Sequence, residues 1–352
     1  MSLYDRISNL PLRIEGYDVE GLARDSGSGW LRRTSVMHLH GAGHEGVGED
    51  VTWEESEQET QQKAGPVHPL TGEWTLDSFS RHLDRLDLYL GASPAFAVYR
   101  NYRRWAFESA ALDLALRQAG QGLHEALEVP LRPLKFVVSL RLGTPPDLSN
   151  IDRRLVAYPG MRFKLDADPS WDDEALAAMR AGGYVDVVDF KGAYKGTVVD
   201  VETDPQLYRR VAETLPSAWL EDPDLEGQDA RDALGPYADR VTWDAPIHSV
   251  EDVKRLEHQP RTLNSKPSRF GSWRELFAFY DYCDEHGIAL YGGGQSELGP
   301  GRGQIQLLAA LRHPGAPNDV APAGHDWDNF PVGLPTSPLD PDPDPTGFRR
   351  RS

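Results

Sequence analysis

From Leu134 onward the sequence repeats one pattern, in which a short apolar segment is followed by a segment with the spacing of an amphipathic helix. The strands that this pattern predicts lie at residues 136–142, 161–165, 185–189, 218–221, 240–244, 262–266 and 289–291. Helices fit between several of them, for example at residues 172–181, 204–214, 250–256 and 272–286. Such alternation predicts parallel strands joined by right-handed crossovers. With an eighth unit near Ala316, the repeat indicates a (β/α) barrel.

The alternative fold is a doubly wound open sheet. Such a sheet usually carries a glycine-rich nucleotide-binding turn after its first strand, and this sequence shows none. Before the repeat, residues 12–53 alternate short β-like runs with Ser/Gly turns, which predicts an antiparallel meander. Amphipathic spacing then predicts helices at residues 75–90 and 99–120. The last segment, from about residue 333, is rich in Pro and Asp, and we expect either a disordered tail or a strap without regular secondary structure.

Charge and cysteine content limit the classes of function. The chain of 352 residues has 55 acidic and 37 basic side chains and a formal net charge of −18. This charge repels phosphate backbones and anionic lipids, so we expect neither nucleic acid nor a membrane as partner. No segment approaches the 18 apolar residues of a membrane span. The single cysteine, Cys283, cannot form an intrachain disulfide, which fits a reducing compartment, and we expect a cytoplasmic protein.

Three successive predicted strands end in an acid: Asp189, Glu221 and Asp244. Each acid follows the previous one by about one β/α unit, so the carboxylates come from neighbouring strands and converge at the mouth of the barrel. Converging carboxylates repel one another unless a cation lies between them. Hard oxygen ligands without His or Cys favour Mg²⁺ over zinc. The alternative is that each acid caps the helix after its strand.

Lysines flank these acids. Lys164 lies in the predicted strand before Asp189, Lys191 follows Asp189 by two residues, and Lys266 ends the strand after Asp244. A bound divalent cation disfavours a nearby ammonium group and lowers its pKa, which suits a lysine to general acid–base catalysis. The alternative is that the lysines only neutralise the acids.

Several motifs in the predicted helices and at the predicted strand ends are similar to those of a known group of proteins. They are Glu108–Ala115, Val188–Lys191, Trp219–Pro223, Thr242–Pro246, Asn264–Pro267 and Leu290–Gly299. Together they resemble the enolase superfamily, and within it the branch of muconate lactonizing enzymes and o-succinylbenzoate synthases. The resemblance implies a modified TIM (β/α) barrel at residues 133–315, an N-terminal α+β capping domain at residues 1–132, and a segment at residues 316–352 that returns to the cap.

The resemblance also implies a chemistry. Mg²⁺ is held by Asp189, Glu221 and Asp244, and the α-proton of a small carboxylate substrate is removed to give a metal-stabilised enolate. Elimination, cycloisomerisation or racemisation then follows. The resemblance further implies a homo-oligomer, since members of the family are commonly oligomeric.

Residue by residue, Lys266 matches the lysine of the sixth strand, Lys164 the first lysine of the Lys-x-Lys motif of the second strand, and Glu297 the acid near the seventh strand. The sequence also departs from the family pattern. Asp166 stands where the motif has its second lysine, and Lys191 stands where Asn is common and is a candidate to replace that lysine. Ala245 replaces an expected acid. These departures keep open an alternative, a catalytically decayed barrel that binds a ligand.

Substrate-binding residues are predicted from strand alternation and from loops. Ser139 and Arg141 face the barrel interior if the first strand alternates regularly, and Arg141 suits a substrate carboxylate. Asp166 and Glu297 are further candidates at the strand ends. The Gly/Ser segment at residues 25–29, with Trp30, is a candidate lid that excludes water and selects the substrate, or else an ordinary hairpin loop.

Overall fold

The structure is a computed structural model, and it describes residues 2–25, 31–197, 200–257 and 259–351. Trp30, a predicted substrate-binding residue, lies outside these ranges. Among the described residues, no helix combines the length and the apolar character that crossing a membrane requires.

The N-terminal part combines a meander with helices. Its elements are β1 (Pro11–Ile14), β2 (Gly16–Asp25), β3 (Leu31–Gly41), β4 (His44–Asp50), α1 (Glu55–Ala64), β5 (Gly72–Thr75), α2 (Leu76–Leu83), α3 (Tyr99–Gln118) and α4 (Leu123–Leu127). Strands β2, β3 and β4 pair antiparallel in sequence order, as the alternating pattern predicts, whereas α2 ends earlier than expected.

The meander packs closely on α3. Gly46 and Gly48 lie on β4 where a Cβ atom would come within 2.2 Å of the Ala110 carbonyl and 2.0 Å of the Ala106 carbonyl. Only glycine allows the strand backbone to approach the helix at these two positions. Most of α3 is buried, including the charged Glu108, whose carboxylate accepts the Ser80 hydroxyl of α2.

The second part repeats strand and helix. Its strands are β6 (Val138–Leu140), β7 (Phe163–Asp166), β8 (Val185–Asp189), β9 (Trp219–Glu221), β10 (Val241–Thr242), β11 (Thr262–Ser265) and β12 (Ala289–Gly292). Its helices are α5 (Ser149–Ala157), α6 (Asp173–Gly182), α7 (Pro205–Thr214), α8 (Gln228–Leu234), α9 (Val250–Arg255), α10 (Pro267–Phe270), α11 (Trp273–His286) and α12 (Pro300–Arg312). Strands β6 to β10 form one parallel sheet in sequence order, and β11 pairs parallel with β12.

Backbone hydrogen bonds connect these two sheets and the segment around Asn318 into a ring of strands. The Asn264 N–H donates to the Trp243 carbonyl at 3.0 Å, which joins β11 to the end of β10. The Asp319 N–H donates to the last residue of β12 at 2.8 Å, and the Asn318 carbonyl accepts the N–H of Val137 at 2.8 Å. The segment around Asn318 therefore takes the place of an eighth strand. The predicted fold class, a modified (β/α) barrel with an α+β cap, is confirmed.

The C-terminal segment is a strap anchored to the rest of the protein and not a disordered tail. Leu339 exchanges backbone hydrogen bonds with Leu134 at 2.9 and 2.7 Å. Phe348 is fully buried, and its N–H donates to Asp113 Oδ1 of α3 at 2.7 Å. The composition of the segment conceals these anchors, because two apolar side chains among many Pro and Asp residues are sufficient to fix it to the core.

Candidate active site

The acids predicted at the strand ends lie side by side. Asp166, Asp189 and Glu221 are the last residues of β7, β8 and β9, and they are in register across the sheet. Asp244 follows two residues after β10. Asp189, Glu221 and Asp244 are all completely buried. The parallel sheet therefore brings four carboxylates to the edge where barrels of this kind bind their ligands.

A fifth acid, Asp222, belongs to this cluster. Within the described ranges, carboxylate oxygens of Asp189, Glu221 and Asp222 lie within 4.8 Å of one another, close enough to ligate one metal ion. The φ angle of Asp222 is 48°, and its carboxylate accepts the N–H groups of Asp244 and Ala245 at 2.8 and 2.9 Å. Strand alternation would direct Asp222 away from Glu221, so only its place in the motif Leu-Glu-Asp-Pro could have indicated it.

Two acids of the cluster, Glu221 and Asp222, have raised pKa values. Burial raises the pKa of Glu221 to about 8 even though Lys164 opposes the shift, and Asp189 and Asp244 add to the rise. Burial and the same two neighbours raise the pKa of Asp222 to about 7. Buried carboxylates that repel one another favour a cation between them. A donor set of carboxylate oxygens alone fits Mg²⁺.

Lys164 lies inside the acid cluster. Its ammonium group contacts Glu221 Oε1 and lies 3.0 Å from Asp189 Oδ2, and its side chain is 1% exposed. Burial lowers its pKa, but Asp189 and Glu221 raise it well above its ordinary value overall. The sequence-based expectation of a lowered lysine pKa assumed a bound cation. With carboxylates alone around it, Lys164 is held firmly protonated.

Lys191 reaches the same carboxylates from the loop after β8. Its Nζ lies 2.6 Å from Asp189 Oδ2 and 3.1 Å from Asp166 Oδ1. The φ angle of Lys191 is 56°, and its backbone N–H donates to Asp189 Oδ1 at 3.0 Å. Although burial raises the pKa of Asp189, the two ammonium groups of Lys164 and Lys191 lower it overall.

Asp244 is surrounded by a separate set of cations. Lys266 Nζ lies 2.6 Å from Asp244 Oδ2, and Arg269 Nε lies 3.1 Å from Oδ1. The Tyr194 hydroxyl donates to Oδ2 at 3.1 Å. Burial raises the pKa of Asp244, but Arg269 and Lys266 lower it overall. Asp244 therefore stands in ion pairs beside the Asp189–Glu221–Asp222 group. Tyr194 lies in a loop, where no sequence pattern indicates its role.

The predicted substrate-binding residues are spread around the rim. Arg141 Nε lies 2.8 Å from Asp166 Oδ2, and the arginine side chain is 57% exposed. Ser139 lies on β6 in register with Lys164. Glu297 is buried beyond β12, where its ion pair is with Arg302 at 3.3 Å. Arg141 and Asp166 are thus directly linked to the lysine–acid cluster, whereas Glu297 belongs to the junction with the cap.

The cap contacts the same rim through Arg32, which sequence patterns did not indicate. Its buried guanidinium donates to the Gln295 carbonyl of the loop after β12 at 2.9 Å, and to the Val51 and Thr52 carbonyls of the cap, each at 2.8 Å. Trp53 Nε1 donates to Gln295 Oε1 at 3.0 Å. The cap is therefore hydrogen-bonded to a loop at the carboxyl end of the barrel strands.

Comparison with known proteins agrees with this geometry. The o-succinylbenzoate synthase of Geobacillus kaustophilus is 28% identical over 244 residues, which cover 66% of this chain and 63% of that protein. A member of the enolase superfamily from Listeria innocua has a TM-score of 0.64 at 18% identity, over 88% of this chain and 86% of that structure. A dipeptide epimerase from Methylococcus capsulatus, complexed with Mg, has a TM-score of 0.67 at 18% identity, over 88% and 90%. These similarities confirm the resemblance to the enolase superfamily.

Two family models match the chain directly. The model described as "Domain of unknown function (DUF8230) N-terminal domain" matches residues 5–126, and the corresponding C-terminal domain model matches residues 130–327. The C-terminal match alone covers more than half of the chain. The chain therefore belongs to the DUF8230 family, whose fold in this protein is that of the enolase superfamily.

Proposed function

We propose that the protein is a Mg²⁺-dependent enzyme that removes the α-proton of a small carboxylate substrate. The observation that carries the proposal is the buried group of Asp189, Glu221 and Asp222 with lysines on both sides. An α-proton next to a carboxylate is very weakly acidic, so its removal requires fixed positive charge where negative charge develops. The relative named o-succinylbenzoate synthase and the neighbour named dipeptide epimerase support this class of reaction.

Asp189, Glu221 and Asp244 are the proposed Mg²⁺ ligands, and Asp222 is a further ligand or holds the loop that carries Asp244. Mg²⁺, when bound, supplies the positive charge that stabilises the developing enolate. Ionised carboxylates are required to hold it, so protons on Glu221 and Asp222 must leave before it binds.

The lysines are the proposed acid–base groups. Lys164 and Lys191 contact Asp189, whereas Lys266 contacts Asp244, so ammonium groups stand on two sides of the acid cluster. A lysine whose pKa a bound cation has lowered can take a proton from one face of a bound α-carbon, and an ammonium group on the other side can return one. Elimination, cycloisomerisation and racemisation share this first step. Arg141 at the rim is the proposed partner of a substrate carboxylate.

A second candidate function is ligand binding without catalysis. It is favoured by the Lys191–Asp166 ion pair of 3.1 Å, because the acid stands where the resemblance implies a lysine. This candidate predicts that a carboxylate binds without exchange of its α-proton.

Asp189→Asn tests the metal and the reaction together. We expect the variant to lose Mg²⁺ binding, measured by calorimetry on metal-free protein, and to lose α-proton exchange in D₂O by at least about 100-fold, measured by NMR over a panel of small carboxylates. Asp186→Asn is the matched control, because Asp186 lies on the same strand and pairs with Arg162 away from the cluster. Exchange at the wild-type rate in Asp189→Asn would refute the proposal.

The lysines are tested by stereochemistry. On a substrate with two α-hydrogens, Lys164→Ala and Lys266→Ala are each expected to block exchange of a different hydrogen, because the lysines stand on different sides of the cluster. Identical defects in the two variants would contradict a two-sided site. Ligand binding in the wild type with no exchange for any carboxylate would favour the second candidate function.

A further inference from the structure

Both oxygens of Asp189 are already in use. Oδ1 accepts the backbone N–H of Lys191 at 3.0 Å. Oδ2 lies 2.6 Å from Lys191 Nζ and 3.0 Å from Lys164 Nζ, so it faces two ammonium groups. A divalent cation that binds Asp189 through Oδ2 therefore competes with these two ammonium groups for that oxygen.

The two lysines differ in their freedom to move. Lys164 is enclosed, with its side chain 1% exposed, and it lies between Asp189 and Glu221 on a central strand. Lys191 lies beyond the end of β8, its side chain is 13% exposed, and its ammonium group forms a second ion pair with Asp166, whose Oδ1 lies 3.1 Å away. Lys191 can thus leave Asp189 without leaving its ammonium group unpaired.

The backbone directs Lys191 toward the cluster. A φ angle of 56° is uncommon for a residue with a side chain and costs roughly 1 kcal/mol. The next residue, Gly192, donates its N–H to the Asp222 carbonyl at 2.9 Å, and a Cβ atom there would lie 2.4 Å from the Asp224 nitrogen. The loop is therefore held against the segment that follows β9, in a conformation that brings the Lys191 ammonium group to Asp189.

Asp166 is placed where it can pair with the Lys191 ammonium group once that group has left Asp189. Its Oδ2 already binds Arg141 Nε at 2.8 Å, so the four side chains form an alternating chain of charges from the rim to the buried cluster: Arg141, Asp166, Lys191 and Asp189. Movement of the Lys191 ammonium group from Asp189 toward Asp166 keeps each charge beside one of opposite sign.

We propose that Lys191 is a built-in competitor of the divalent cation at Asp189, and that Asp166 is the acceptor to which its ammonium group moves when the cation binds. The proposal rests on the proposed function, because it presupposes Mg²⁺ at Asp189. Lys191 then sets the affinity for the cation, and Asp166 weakens that competition. Removing the Lys191 ammonium group should therefore strengthen Mg²⁺ binding, and removing the Asp166 carboxylate should weaken it.

The test is a calorimetric titration of MgCl₂ into metal-free protein. Lys191→Met is expected to bind Mg²⁺ about tenfold or more tightly than the wild type, and Asp166→Asn about tenfold more weakly, the size of one charged hydrogen bond. Lys195→Met is the matched control, because Lys195 lies in the same segment and pairs with Asp224 at 2.8 Å. It removes the same charge and should leave the affinity unchanged.

Thermal unfolding adds a second measurement. Without metal, Lys191→Met should melt at a lower temperature than the wild type because Asp189 loses a cationic partner, and saturating Mg²⁺ should raise its melting temperature more than that of the wild type.

The possible outcomes distinguish the proposed Mg²⁺ site from the proposed competition by Lys191. If the wild type binds Mg²⁺ and Lys191→Met binds it equally or more weakly, the competition is refuted while the metal site stands. If only Lys191→Met binds Mg²⁺, the competition is supported in its strongest form. If none of the proteins binds Mg²⁺, the metal site of the proposed function is refuted, and the competition with it.

Discussion

At the scale of single residues, His313 shows how a buried polar side chain couples stability to pH. It is 7% exposed, and its ring Nδ1 lies 2.6 Å from Asn318 Oδ1. Burial lowers its pKa from 6.5 to about 4, although the hydrogen bond to Asn318 raises it. The imidazole is therefore neutral in the folded protein at pH values where the unfolded chain is already protonated.

We expect this residue to contribute stability that is fully present above pH 6.5 and is lost progressively as the pH falls to about 4, by at most about 3 kcal/mol. Urea unfolding of the wild type and of His313→Gln between pH 7 and pH 4 measures the effect. The variant should lose less free energy of unfolding over that range than the wild type. Parallel pH dependences would contradict this account of His313.

At the scale of elements, Asn318 links the segment in the eighth strand position of the barrel to β12 and to the residues before β6. It is completely buried, its Oδ1 accepts the Gly292 N–H at 2.6 Å, and the two hydrogens of its Nδ2 are shared among the Lys135, His313 and Ala316 carbonyls, which lie 2.9 to 3.0 Å away. One amide side chain thus completes hydrogen bonds on both sides of the ring.

Asn318→Ala is expected to lower the free energy of unfolding by about 3 kcal/mol or more, because it leaves several buried polar groups unpaired. Chemical denaturation followed by circular dichroism measures the change. Asn9→Ala is the control, since Asn9 is exposed. A loss in Asn318→Ala no larger than in the control would show that the ring does not depend on this side chain.

At the scale of the whole molecule, Phe348 connects the C-terminal segment, the barrel and the cap. Its ring centroid lies 5.1 Å from that of Trp273 on α11, and Trp273 lies 4.7 Å from Trp105 on α3. Arg349 Nε adds a hydrogen bond to Asp113 Oδ2 of α3 at 2.6 Å. The last residues therefore stabilise the contact between the two parts of the protein.

Phe348→Ala is expected to destabilise the protein by about 3–5 kcal/mol, the usual result of truncating a buried phenylalanine. The measurement is the shift in thermal unfolding, with Phe96→Ala as the control because Phe96 is 42% exposed. If the two variants melt at the same temperature, the C-terminal segment does not hold the cap to the barrel.

The sequence by itself determined the elements and the places of the strand-end acids. Strands and helices alternate, and an acid that follows a short apolar strand lies at the carboxyl end of a parallel sheet. Asp189 and Glu221 are accordingly the last residues of β8 and β9. The buried anchors Leu339 and Phe348 escaped prediction, because composition describes a segment on average and burial depends on single side chains.

The sequence indicated the three lysines beside the acids, and only the tertiary structure decided which further side chains surround them. Asp222 has a φ angle of 48°, and this left-handed backbone directs its side chain toward the acids although strand alternation would direct it away from Glu221. Arg32 meets Gln295 across 263 positions of sequence. Sequence patterns report contacts between residues a few positions apart, whereas these groups meet only because the ring of strands and the cap bring distant segments together.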